Sequence, residues 1–298
     1  MTKIVVTSGK RFIDIDALAC LIAYTEIPQE KAIAVVAGLL NKSITSTIKK
    51  WPLNYATLVQ GEDLEFVIVD VSEFQEFPNF VKKEKIIEIY DHHFGFEKNW
   101  EYLGEKMIID EVGACATLIW EEFKKRNPGK EISPLSANLL YTAISSNTLN
   151  FQSSITSERD KRAFEELKSF IDLPEDWIGK YYQDIELEVY LNPREAVVGD
   201  TKIQMIKGQE CALGQLELWN SQPFILEYSG EIEAALKNFN TELWLFSSPC
   251  ISEGRNYIFT KSETIKNYLR NVMGIIFEGN IGITPKLWLR KEILKLIQ

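Results

Sequence analysis

The first third of the chain alternates short apolar runs with stretches of mixed polarity. Residues 3–7, 32–38, 64–72, 85–93 and 106–111 are dominated by Val and Ile with little polar alternation. That pattern predicts strands with both faces covered. Residues 14–27, "DIDALACLIAYTEI", predict a helix after the first strand. Strands interleaved with helical segments predict a parallel sheet with helices on both faces. From Gly113 the period becomes helical, with helices expected over 113–126, 133–149, 156–171 and 174–190. Ser133 is placed to cap the second of these, with Pro134 in its first turn. "LNPRE" at 191–195 marks a boundary. Strands return at 201–208, 211–218, 241–248 and 256–260, and helices at 262–271 and 285–297. The expected fold class is α/β. Residues 1–189 form a parallel-sheet domain, and residues 194–298 a smaller mixed α/β domain.

Charge narrows the function classes. With 33 basic and 43 acidic residues the net charge is −10, which argues against an extended nucleic-acid surface but not against a small phosphate pocket. No run approaches the length of a membrane span, and "MTKIVVTSGK" has too short an apolar run for a signal peptide. Cys20, Cys115, Cys211 and Cys250 are far apart, without zinc-site spacing, and read as small apolar residues of a reducing compartment. A cytoplasmic protein is expected.

Chemistry concentrates at the strand ends. In an open parallel sheet, ligands gather beyond the carboxyl ends of the strands. There the sequence sets Asp14 and Asp16 after the first strand, Asp70 after "FVIV", and Asp91, His92 and His93 after "IIEIY". His92 and His93 are the only 2 histidines in the chain. Any one such Asp can be explained as a turn or helix cap. The recurrence of acids and imidazoles after three Val/Ile runs points instead to one site. Carboxylates crowded at low dielectric repel one another, and divalent cations relieve the repulsion. An Asp/His set suits Mn²⁺, Co²⁺, Mg²⁺ or Zn²⁺. The residues themselves thus indicate metal-dependent hydrolysis of a phosphate ester or anhydride.

"IDIDALA", "VIVD" and "YDHH" resemble, in order, the first three motifs of the DHH phosphoesterase superfamily. "EVGACATLIWE" is similar to its glycine-containing helix start, and "LLYTAISSNTLNF" with "TSERD" to its fourth motif region. "GDTKIQM", "ALGQLEL" and "TPKLWLRKEILKLI" resemble the C-terminal domain of manganese-dependent (family II) inorganic pyrophosphatases and related exopolyphosphatases. The resemblance implies one or two ions, Mn²⁺ or else Co²⁺ or Mg²⁺. Asp14 and Asp16 would bind one ion each, Asp70 would bridge them, and His92 would be a ligand. His93 would face the substrate or a neighbouring residue that supports the ligands, and Asp91 would orient the loop. Arg290 and Lys291 would bind substrate phosphate from across a cleft between the domains. The implied partner is a small phosphorylated substrate. The edge region near "VVAGLLNKS" mediates pairing in the family, so a homodimer is a further implication.

Two positions depart from that pattern. Lys10 stands where the family has a metal-binding histidine, and Asn147 where it has an aspartate. A protonated amine cannot ligate, and a neutral amide binds a cation weakly. Three readings stay open. Lys10 replaces one ion, neutralising Asp14 and Asp70 and holding phosphate together with Asn147. Alternatively the chemistry is lost and a phosphate- or nucleotide-binding pocket remains. Or the match slips at "SGKRF" and another group supplies the ligand. The first keeps Asp70, His92, His93 and Lys10 as catalytic residues acting on pyrophosphate or short polyphosphate. Phosphodiesterase action on short oligonucleotides is the alternative within the superfamily, but the glycine-rich motif of that branch is missing. Leu289 and Glu292 also interrupt the basic motif around Arg290 and Lys291, leaving an amphipathic terminal helix as the competing explanation.

Overall fold

The computed structural model describes residues 3–59, 61, 63–206 and 208–297, apart from the side chains of Lys291 and Ile297. The chain divides into two compact units, Met1–Ile178 and Gly179–Gln298.

The first unit opens with β1 (Lys3–Thr7), the short β2 (Phe12–Ile13) and α1 (Ile15–Tyr24). Then come β3 (Ala32–Val35), the short β4 (Leu39–Leu40), β5 (Leu64–Val69), β6 (Ile86–Asp91) and β7 (Met107–Ile109). α2 (Cys115–Arg126), α3 (Pro134–Asn147) and α4 (Glu158–Leu167) follow, and α5 (Trp177–Leu191) begins at the end of the unit. The main sheet has the order β3-β1-β5-β6-β7, with every pair parallel. Strand residues alternate between two buried faces. Val5, Phe66, Ile68 and Ile89 meet Phe77, Val81 and Trp100, supplied by loops and short 3₁₀ turns. α-Helices cover the other face. All ten residues of α1 are buried, because it is packed by α2 and α3 as well as by the sheet. A helix apolar on every side needs such enclosure. The chain runs outward from β1 to β3 and then crosses back to β5. This reversal makes the carboxyl ends of β1 and β5 a topological switch point, the place where open α/β sheets gather ligands.

The second unit holds the rest of α5, then α6 (Pro193–Gly199), β8 (Thr201–Ile206), β9 (Gln209–Gln215) and α7 (Ser221–Lys237). β10 (Leu243–Cys250), β11 (Arg255–Phe259), α8 (Glu263–Met273), β12 (Ile276–Glu278), β13 (Ile281–Ile283) and α9 (Arg290–Ile297) complete it. Its sheet order is β12-β13-β11-β10-β9-β8, parallel only between β9 and β10. Phe224, Ile232 and Leu236 of α7 cover Ala212, Trp244 and Phe246 on one face. Ile265, Leu269 and Ile293 cover Leu213, Leu245 and Ile258 on the other.

Several differences from the sequence reading have local causes. The units part inside α5, whereas the composition changes only after Val189. α7 was not expected, because Pro223 and Gly230 interrupt its pattern; it kinks at Tyr228. The β12–β13 hairpin leaves no periodic signal in the sequence, because each strand has only three residues. α9 starts at Arg290 rather than 285, since Asn256 grips Trp288 at both its N–H and its carbonyl.

Candidate metal centre

Each side chain at the switch point is placed by the element before it. Asp14 is the N-cap of α1, accepting from the Ala17 N–H at 2.9 Å. Asp16 lies one step inside the helix and is fully buried. Its Oδ2 accepts from the Cys115 N–H at 2.8 Å and its Oδ1 from the Ala116 N–H at 2.8 Å. Asp16 thereby caps α2, whose own N-cap, Ala114, has no side chain able to do so. Asn147, the last residue of α3, donates to Asp16 Oδ2 at 2.6 Å.

Asp70 turns out of β5 with φ 58°, a left-handed conformation that Asp tolerates better than most residues. Its N–H donates to the Tyr90 carbonyl at 2.8 Å. Its Oδ1 is buried without a hydrogen-bond partner. His92 Nε2 stands 3.3 Å from that oxygen and 3.9 Å from Asp16 Oδ2. Nδ1 of His92 donates to the Val112 carbonyl at 3.1 Å, so in the neutral ring Nε2 carries the free lone pair. Asp91 Oδ1 accepts from the N–H groups of His92 and His93 and from His93 Nδ1. It fixes the loop and leaves the exposed His93 ring with its Nε2 free. Asp70, His92 and His93 each offer a ligand atom within 4.8 Å of the others'.

The electrostatics match this crowding. Burial raises Asp16 to about 6, against the pull of His92. Burial, then the nearby Asp16 and Asp14, raise Asp70 to about 8. Burial disfavours charge on His92, but Asp70 and Asp16 overcome it and hold the imidazole at about 10. His93 is also raised, chiefly by its bond to Asp91. A divalent cation would remove the cost that these shifts record. The Asp70 oxygen, buried without a hydrogen bond, and the directed His92 Nε2 fit one.

Other predicted residues are placed differently. Lys10 is exposed and its ammonium donates to the Gln75 carbonyl, rather than to Asp14 or Asp70. Arg290 is bound to Asp200 through that residue's carboxylate and its carbonyl. The side chain of Lys291 lies outside the described residues. Sequence reasoning missed the supports beneath the site. Buried Asp160 accepts from the Gly113 and Ala114 N–H groups, from the Thr117 hydroxyl, and from the Ser157 N–H and hydroxyl. That fixes the turn carrying the Val112 carbonyl. The S-x-x-D spacing of Ser157 and Asp160 signals a capping box but not this distant contact. Gly113 is required there, because a Cβ would lie 2.6 Å from Thr148 Cγ2.

A doubly covered parallel sheet with carboxylates and imidazoles at its carboxyl edge defines an α/β protein with a candidate metal centre. No protein-family model matches the chain. It is similar to curated proteins named probable manganese-dependent inorganic pyrophosphatase. That of Exiguobacterium sp. is 25% identical over 266 residues, 82% of this chain and 81% of the relative. That of Clostridium acetobutylicum is 24% identical over 308 residues, 98% and 96% of the two chains. A Staphylococcus aureus relative is 34% identical over 128 residues, 43% and 38%. Among solved structures, a candidate family II inorganic pyrophosphatase of Methanococcus jannaschii superposes with TM-score 0.64 at 22% identity, covering 100% of this chain and 98% of that one. An exopolyphosphatase-related protein from Bacteroides fragilis gives 0.52 at 16% identity, covering 99% and 90%. The chain thus has the fold of these proteins and resembles the manganese-dependent inorganic pyrophosphatases along most of its length.

Proposed function

We propose that the protein is a divalent-metal-dependent phosphohydrolase that cleaves phosphoanhydrides, with pyrophosphate or short polyphosphate as substrate and Mn²⁺ as the preferred ion. The observation that carries this is the buried Asp70 oxygen left without a hydrogen bond, facing His92 Nε2 at 3.3 Å. A buried carboxylate oxygen that makes no hydrogen bond and faces only the His92 imidazole at 3.3 Å is poorly satisfied, and a cation bound between the two accounts for it. The names of the relatives support the same ion and substrate class.

Bound divalent metal would supply Lewis-acid polarisation of phosphoryl oxygens and lower the pKa of water. The chain's own residues do the rest. Asp70 and His92 would hold the ion. The Val112 carbonyl keeps His92 in the tautomer with Nε2 free. Asp91 aims His93, whose exposed Nε2 can donate to a phosphoryl oxygen as charge develops on it. Lys10 would reach phosphate by exchanging the Gln75 carbonyl for it.

The test is phosphate release from pyrophosphate, tripolyphosphate, long polyphosphate and a dinucleotide with Mn²⁺, Co²⁺ or Mg²⁺. Turnover on the first two that is lost in Asp70→Ala supports the reading; preference for the dinucleotide overturns its substrate class. A second reading, a non-catalytic phosphate or nucleotide sensor, is favoured by the amide of Asn147 beside Asp16. A folded protein without turnover, whose Tm rises with a phosphorylated ligand, would establish it.

A further inference from the structure

We infer that this metal centre is mononuclear, the ion sitting at the Asp70–His92 end, with the Asn147 amide standing where a second cation would sit beside Asp16. The inference rests on the metal-dependent reading above and specifies its stoichiometry. It turns on a contrast between two buried carboxylates. Asp16 has its oxygens occupied: Oδ2 by the Cys115 N–H and the Asn147 amide, Oδ1 by the Ala116 N–H at 2.8 Å and the Cys20 thiol at 3.7 Å. A carboxylate has about four acceptor positions, so little is left for an ion. Asp70 Oδ1 is the reverse case, buried and without a hydrogen bond.

Asn147 reinforces the asymmetry. Only its NH₂ can face a carboxylate, since its oxygen accepts and does not donate. Its carbonyl oxygen is therefore turned away from the position an ion shared with Asp16 would take. The partial positive charge of the amide substitutes for a cation there. Lys10 is not that substitute, because its ammonium is given to the Gln75 carbonyl. Asp16 becomes a structural cap of α2. The remaining ligands, the Asp70 carboxylate and the His92 imidazole, mix oxygen with nitrogen, which favours Mn²⁺ or Co²⁺ over Mg²⁺.

The experiment counts ions in the full chain stripped with chelator and dialysed. Mn²⁺ binding is followed by loss of the free-ion electron paramagnetic resonance signal, and Tm is recorded with and without Mn²⁺. The wild type is expected to bind one Mn²⁺ per chain. Asn147→Asp sets a second carboxylate against Asp16. It should lower Tm in chelator, recover it with Mn²⁺, and raise the bound ion count above one. Two ions of comparable affinity in the wild type would overturn the inference while leaving the metal-dependent reading intact. No bound ion in a folded wild type would overturn both. An Asn147→Asp protein with unchanged Tm in chelator and still one ion would overturn the role given to Asn147.

Discussion

Asp160 lies beneath the site yet touches none of the metal-ligand candidates, which makes it a clean probe of how the fold holds them. Asp160→Asn keeps the shape and exchanges one carboxylate oxygen for an NH₂ group. The best orientation turns the NH₂ toward Oδ1's former partners. Thr117 can rotate its hydroxyl to accept, but the Ala114 N–H, at 3.3 Å from that oxygen, then faces another donor. The Gly113 N–H at 2.8 Å and the Ser157 N–H and hydroxyl at 2.7 Å keep an acceptor, now neutral. Hydrogen bonds to charged groups contribute roughly 1.5–3 kcal/mol and neutral ones roughly 0.5–1.5. Three weakened bonds therefore cost about 3 kcal/mol. At roughly 2–4 °C per kcal/mol for a unit of this size, the transition of the first unit should fall by about 6–12 °C in differential scanning calorimetry. The Val112 carbonyl loosens with the turn, so His92 loses its orienting partner and Mn²⁺ affinity should drop about tenfold or more. A Tm within 1 °C of wild type would refute the structural role, and an unchanged Mn²⁺ affinity would refute the link to His92.

Further outcomes follow from the same geometry. Gly113→Ala should be more damaging than an ordinary exposed Gly→Ala change, because its Cβ meets Thr148 Cγ2 at 2.6 Å; soluble yield and Tm would show it, and a wild-type Tm would contradict it. Arg126→Met strips the cation from Glu88, which is buried and also accepts from Tyr24 at 2.6 Å and Tyr90 at 2.8 Å. The expected loss is about 2–4 kcal/mol, read by urea denaturation. Mn²⁺ affinity should rise with pH between 6 and 8 by about tenfold per unit or more. His92 is held at about 10 and Asp70 at about 8 in the metal-free chain, so binding must displace protons from the pair in that window; a flat profile in a binding titration would exclude Asp70 with His92 as the ligands. All four cysteines are buried, and burial pushes the Cys115 thiol up to about 12. Thiol reagents should therefore label the native chain slowly and the urea-unfolded chain at once.

The sheet of the first unit was legible because Val and Ile runs report burial directly, and chain order then fixes which strand ends meet at the switch point. Chain order alone thus places Asp14, Asp16, Asp70 and the two histidines at one edge. Hydrophobic patterning does not encode the partners of polar atoms. Asn147 meets Asp16 and Asp160 meets Gly113 across long stretches of sequence, and neither pairing leaves a periodic trace. The second unit was read less completely where local rules were broken. α7 carries a proline in its first turn and a kink, and in the "EGNI" turn at 278–281 the hairpin signal rests on Gly279 alone, with φ 63°, between strands too short to show alternation. Lys10 and Arg290 show a further limit: a basic residue near a motif does not reveal which acceptor holds it.

The most direct test of the central claim is Mn²⁺-dependent release of phosphate from pyrophosphate by the purified chain, with Asp70→Ala measured alongside. The predicted result is turnover that requires the ion and falls at least a hundredfold in the variant while its fold is retained. Equal rates in the two proteins, or no release by a wild type shown to bind Mn²⁺, would contradict the assignment of this centre to phosphoanhydride hydrolysis.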